Sequence, residues 1–146
     1  MTTQFFDGPV VFRNGIKYTD TISTSIVSTT SSVPTNAYTI TATVGTNTTY
    51  VYEGTFTGFI VTGPNANKDV FIKYTVMITN LNGVMTVYKS SPGNIPMLIL
   101  RDGDSTLDNC SIDAIPASNV VNIRITGLAV TQINWGITHR LVQYSH

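Results

Sequence analysis

Between Val70 and Leu81 the chain reads VFIKYTVMITNL, and one row of residues stands against another with a period of two. Val70, Ile72, Tyr74, Val76 and Ile78 fall on one side of an extended chain; Phe71, Lys73, Thr75, Met77 and Thr79 fall on the other. A helix would scatter the five apolar residues around its circumference, whereas a strand gathers them on one face. Asn82-Gly83, a dipeptide that tolerates positive φ at both positions, then leads into VMTVYK, which predicts a two-residue hairpin turn.

The same period recurs along the rest of the chain. Tyr38, Ile40, Ala42 and Val44 alternate with threonines in AYTITATV. Tyr50, Tyr52, Phe56 and Ile60 share a face in TYVYEGTFTGFIV, where Gly54 and Gly58 predict a bulge or a close approach by another backbone. In IPMLILR, Pro96 points to the start or edge of a strand. DGDSTLDNCSIDAIPASN reads as a long irregular stretch with room for one short strand; VVNIRIT and TQINWGITHRLVQYS, joined by Gly127-Leu128-Ala129, make the last two strands. No segment offers a helix of three turns. Roughly seven or eight strands at this spacing predict an all-β fold, an antiparallel two-sheet β-sandwich of jelly-roll type. An immunoglobulin-like sandwich has the same periodicity.

Composition narrows what such a fold can do. The 146 residues suit one ordinary domain. Charged residues are 11% of the chain and the net charge is zero, which leaves no electrostatic footprint for nucleic acid or an anionic membrane. Thr, Ser and Asn supply the polarity instead, and so little charge favours hiding apolar surface in a stable homo-oligomer. Cys110 is the single cysteine, so neither an intrachain disulfide nor a cysteine-based zinc site can form, and a reducing compartment is expected. The opening residues carry no signal-peptide pattern, and no apolar run reaches membrane-spanning length, so a soluble, non-secreted protein is expected.

The N-terminal region stands apart. FFDGPVVFRNGIKY gives two short apolar runs around Asn14-Gly15, a small hairpin that is marginal alone and needs a surface for Phe5, Phe6, Val10, Phe12, Ile16 and Tyr18. TDTISTSIVSTTSSVPT is dominated by Ser and Thr and reads as a linker or extended arm. Residues 1–32 are thus expected to form a hairpin with its linker, and residues 33–146 the sandwich.

Few residues invite chemistry. Asp102, Asp104, Asp108 and Asp113 imitate calcium-loop spacing, but Leu107 occupies the glycine position, so a solvated acidic loop is expected and no metal site is assigned. His139 shares a strand row with Ile133, Trp135, Ile137 and Leu141, a core row in which it would bond to backbone, while Arg140 points the other way as a surface or subunit contact. There is no nucleophile motif, Glu53 is the only glutamate, and no catalytic residue or cofactor is assigned. Tyr38, Tyr50, Tyr52, Tyr74 and Tyr88 suit either core and interface packing or a platform for sugar rings.

Two end segments carry a resemblance. FDGPVVFRNGI, Phe6 to Ile16, resembles the openings of tailed-bacteriophage structural proteins; ITGLAVTQINWGITHRLVQ, Ile125 to Gln143, resembles their closing strands. The resemblance implies a non-enzymatic virion protein of the head-decoration, short-fibre or spike type. It further implies a homotrimer assembled in the host cytoplasm and attached by its N-terminal segment to capsid or tail proteins. A host receptor or surface glycan is the alternative partner.

Overall fold

The computed structural model describes residues 10–11, 17–88 and 97–145, with the first pair described only by its backbone pairing. Phe5, Phe6, Phe12, Ile16, His146 and the Val10 side chain lie outside the described residues.

Ten strands occur among the described residues: β1 (Val10–Val11), β2 (Lys17–Thr29), β3 (Thr35–Thr41), β4 (Asn47–Thr62), β5 (Asp69–Leu81), β6 (Val84–Tyr88), β7 (Met97–Arg101), β8 (Ser111–Ala117), β9 (Val120–Thr126) and β10 (Gln132–Ser145). They form two antiparallel sheets. The larger runs β1-β2-β10-β4-β5-β6, with β7 also paired to β5; the smaller runs β3-β9-β8. The fold is an all-β sandwich, with its core between the sheets.

The long alternating segment is β5, buried on every second residue from Val70 to Asn80. Its hairpin to β6 turns on Asn82 at φ 51° and Gly83 at φ 92°, the pair of positive angles that a type I′ turn requires. At its other end β5 pairs instead with β7, from Val70–Arg101 to Tyr74–Met97. The last two strands are covalent neighbours but belong to different sheets, and Gly127–Thr131 carries the chain across.

Three local readings differ from the structure. No bulge occurs at Gly54 or Gly58; β4 pairs through both in unbroken register with β5 and β10. What approaches is aromatic: a Cβ on Gly58 would lie 2.7 Å from Cζ3 of Trp135, and one on Gly54 would lie 2.5 Å from the Phe56 ring. Val44 is exposed, because β3 ends at Thr41 before the chain turns at Gly45. The stretch read as irregular with room for one short strand holds that strand as β8, after an unexpected 3-10 turn, Ser105–Asn109.

The Ser/Thr-rich segment, read as linker or arm, is the 13-residue strand β2, paired with β10 from Thr29–Ile133 to Lys17–Ser145. Composition conceals it because its apolar residues Ile22 and Ile26 face outward, while its inward hydroxyls serve buried polar groups of β10. Thr29 Oγ1 accepts from the Trp135 indole N–H at 3.0 Å, and Ser25 Oγ lies 2.7 Å from His139 Nε2.

One buried group has no partner. The Tyr74 hydroxyl lies within the core without a hydrogen bond, and a phenol desolvated in this way costs about 1–3 kcal/mol. Tyr74→Phe is therefore expected to raise stability by about 1 kcal/mol. Urea unfolding of the two proteins checks it, and a loss of stability would count against an orphaned hydroxyl.

Candidate functional site

Three groups of residues could carry function: the β10 row, the acidic loop and the outer face of the larger sheet.

The β10 row is closed. Ile133, Trp135, Ile137, His139 and Leu141 are all buried, with Trp135 at 0% and His139 at 2% exposure. His139 bonds to side chains rather than to backbone. Its Nδ1 lies 2.7 Å from the Tyr52 hydroxyl, its Nε2 2.7 Å from Ser25 Oγ, and the Tyr38 ring stacks on it at a centroid distance of 4.5 Å. Ser25, His139 and Tyr52 stand in the order of a nucleophile, a base and an orienting group. The third member is the weakness. Burial pushes the Tyr52 phenol far above its ordinary range, so it stays neutral and cannot offset an imidazolium as a carboxylate would. Burial also holds the His139 imidazole below its ordinary value. The cluster ties β2, β3, β4 and β10 together.

The acidic loop does not converge. Asp104 caps the 3-10 turn, accepting from the Thr106 N–H at 2.8 Å and from its hydroxyl at 2.9 Å. Asp108 accepts from Arg101 Nε at 2.8 Å, and Asp113 holds Arg124 through two bonds of 2.9 and 2.7 Å. Among the described residues no cluster of three metal-ligating side chains occurs. Leu107 is fully buried, so the turn plugs the core at the position where a calcium loop would need glycine. Cys110 beside it is also fully buried, and desolvation pushes its thiol up to about 11, which keeps it protonated and unreactive at neutral pH.

The outer face is open. Residues paired across neighbouring strands project on the same side, so the registers define rows across the larger sheet. One row is Ile26, Gly136, Thr57, Phe71 and Leu100; another is Asp20, Val142, Val51, Met77 and Tyr88. Ile26 is 85% exposed, Ile22 65% and Leu100 55%, and Phe59, Met77, Tyr88 and Leu98 are exposed beside them. At the centre, Arg140 forms two bonds to Asp20 of 3.1 and 2.8 Å and stands 3.8 Å from Glu53. This network lies across β2, β10 and β4, and the neighbouring carboxylates push the Arg140 guanidinium further up. A shallow depression between Ile22, Glu53, Thr55, Lys73, Thr138 and Arg140 marks the middle of the face.

Arg140, read as a surface or subunit contact, is thus the hub of an ion network on this face. Of the tyrosines weighed as a sugar platform, Tyr50, Tyr52 and Tyr74 are buried in the core and Tyr38 is half-buried on His139, while Tyr88 is exposed on the outer face. Tyr18, from the expected anchoring element, packs with Tyr144 on the outer face at a centroid distance of 5.1 Å. The apolar row of β2 is the feature that sequence reasoning missed. Ile22 and Ile26 lie four apart in an otherwise hydroxylated run, a spacing that places them on one side of a strand.

No protein-family model and no curated protein matches the chain. Among solved structures, the tailspike protein of Acinetobacter baumannii phage AM24 aligns with a TM-score of 0.42 at 10% identity, over 84% of this chain and 26% of that one. The chain therefore spans about a quarter of that tailspike's length, and at this degree of likeness no function follows.

Proposed function

We propose that the chain is a non-enzymatic structural subunit of a bacteriophage particle, of the decoration, short-fibre or spike type, that works as a homotrimer and is attached through its N-terminal segment. The observation that carries this reading is the outer face of the larger sheet, an extended surface of exposed aliphatic and aromatic side chains. Surfaces of this kind mark association sites in soluble proteins. The closed His139 cluster and the scattered aspartates add support by giving up their polar groups to structure. The end segments Phe6–Ile16 and Ile125–Gln143, with their resemblance to phage structural proteins, supply the context.

The test must spare β2. A truncation ending at residue 32 would remove Ser25 and Thr29, the partners of His139 and Trp135, and so would confound folding with attachment. Deletion of residues 1–16 leaves both in place. In infected cells supplying the shortened chain, the particles are expected to lack it while the soluble protein keeps its melting transition. Particles that still carry the shortened chain at the normal copy number would overturn attachment through this segment, and absence of the full chain from purified particles would overturn the particle reading.

A further inference from the structure

We propose that the outer face of the seven-stranded sheet is covered by a second copy of this chain, packed face to face. This rests on reading the chain as an assembly subunit, and it names what occupies the face: a two-fold contact that joins chains of different trimers, because a face cannot pair with itself around a three-fold axis.

Size supports a protein partner. Five strands at ~4.8 Å and the ten-residue rise from Asn134 to Tyr144 at ~3.3 Å give a face of about 24 by 33 Å, or ~800 Å², which is about what each partner gives to a standard stable interface. A small ligand would leave most of it wet. Apolar side chains flank the face, because Ile26 and Leu100 end one row and Met77 and Tyr88 close another, with threonines, Gly136 and the Arg140 network between them. Alternating large and small residues on a flat sheet lets two faces interdigitate.

Charge selects a copy over a foreign partner. Arg140 and Lys73 on this face stand against Asp20, Glu53 and Asp69, and Arg140 is hydrogen-bonded to Asp20 and 3.8 Å from Glu53. Two cations against three carboxylates leave a single surplus negative charge, too little to select a strongly acidic or basic partner. Two copies meet with both signs present on each face, and the whole chain is net neutral. A copy with its strands running alongside also places Lys73 of one protomer over the half of the face that holds Asp20 in the other, because these residues lie on opposite sides of β10.

Light scattering and sedimentation of the full chain at tens of micromolar are expected to give at least twice the 15.8 kDa monomer mass. Ile26→Lys combined with Leu100→Lys places like charges at both ends of one row and alters two side chains that are already solvent-exposed. The double variant is expected to melt as the parent does and to associate at least a hundredfold more weakly. Should it fail to fold, single cysteines read the same contact: Thr138→Cys, at the centre of the face, is expected to give a crosslinked pair with a short bis-maleimide, and Asn119→Cys, exposed at the β8–β9 turn, is not. A parent protein that stays monomeric overturns the inference, as does an oligomer that survives the double substitution intact or crosslinks only through position 119. Monomers in solution leave the particle reading standing, whereas paired copies that are missing from particles overturn the particle reading alone.

Discussion

Trp135→Ala is expected to remove about 3–5 kcal/mol of stability, the usual cost of deleting a large aromatic from a close-packed core. That is a large share of the 5–15 kcal/mol by which a domain of this size is stable. The ring is fully buried, fills the space left by Gly58 and donates its N–H to Thr29. The alanine variant loses all three features: packing, fit against the glycine, and a bond that holds β2 to β10. Thr29→Val isolates the last of them. Valine matches threonine in shape and strands the indole N–H, for about 1–3 kcal/mol. Urea titration followed by circular dichroism measures both variants. Equal losses for the two would show that the hydrogen bond, rather than the ring, carries the site.

Acid is expected to loosen the fold through His139. Its ring is 2% exposed, and Ser25, Tyr52, Tyr38 and Phe56 face it from β2, β4 and β3 with no carboxylate among them. Burial therefore holds the folded imidazole below the ordinary value of about 6.5. The unfolded chain takes up a proton at that ordinary value, and the folded chain does so only at lower pH. Stability from this residue is thus complete above about pH 6.5. It falls as pH drops from there toward the folded value, by up to ~1.4 kcal/mol per pH unit, and levels off below it. Unfolding free energies measured from pH 7.5 down to 5 are expected to show that slope, and His139→Gln to flatten it. An unchanged slope in the glutamine variant would place the titration elsewhere.

The sandwich could be read from the chain because most strands bury one face and expose the other. β5 is the plainest case, and Asn82-Gly83 announced its turn through the positive φ angles that this pair tolerates. Where strands follow another logic, legibility failed. β2 exposes its isoleucines and sends hydroxyls inward, which inverts the usual pattern; β8 follows the plugged turn at Leu107 and carries Pro116, so its alternation is short and interrupted. The candidate face stayed hidden for a related reason. Polar–apolar alternation identifies a buried row, but the opposite row in β5 includes Phe71 and Met77, and alternation alone does not say whether such residues meet solvent or a partner. Only the registers, which bring Ile26, Phe71 and Leu100 into one line, show that they form a continuous surface.

The place of β10 sets the order of events in folding. It follows every other described strand in sequence, yet it lies between β2 and β4, and the contacts that fasten β2 to it join residues more than a hundred positions apart. While the chain is being synthesised, the hairpin of β4 and β5 can form early, but the inward hydroxyls of β2 have no Trp135 or His139 to meet until β10 has left the ribosome. Such non-local pairing makes folding slow and leaves apolar strands open to neighbouring chains in the interval. A nascent chain truncated before residue 132 is a set of unclosed sheet edges, and the fourteen residues of β10 convert it into a sandwich.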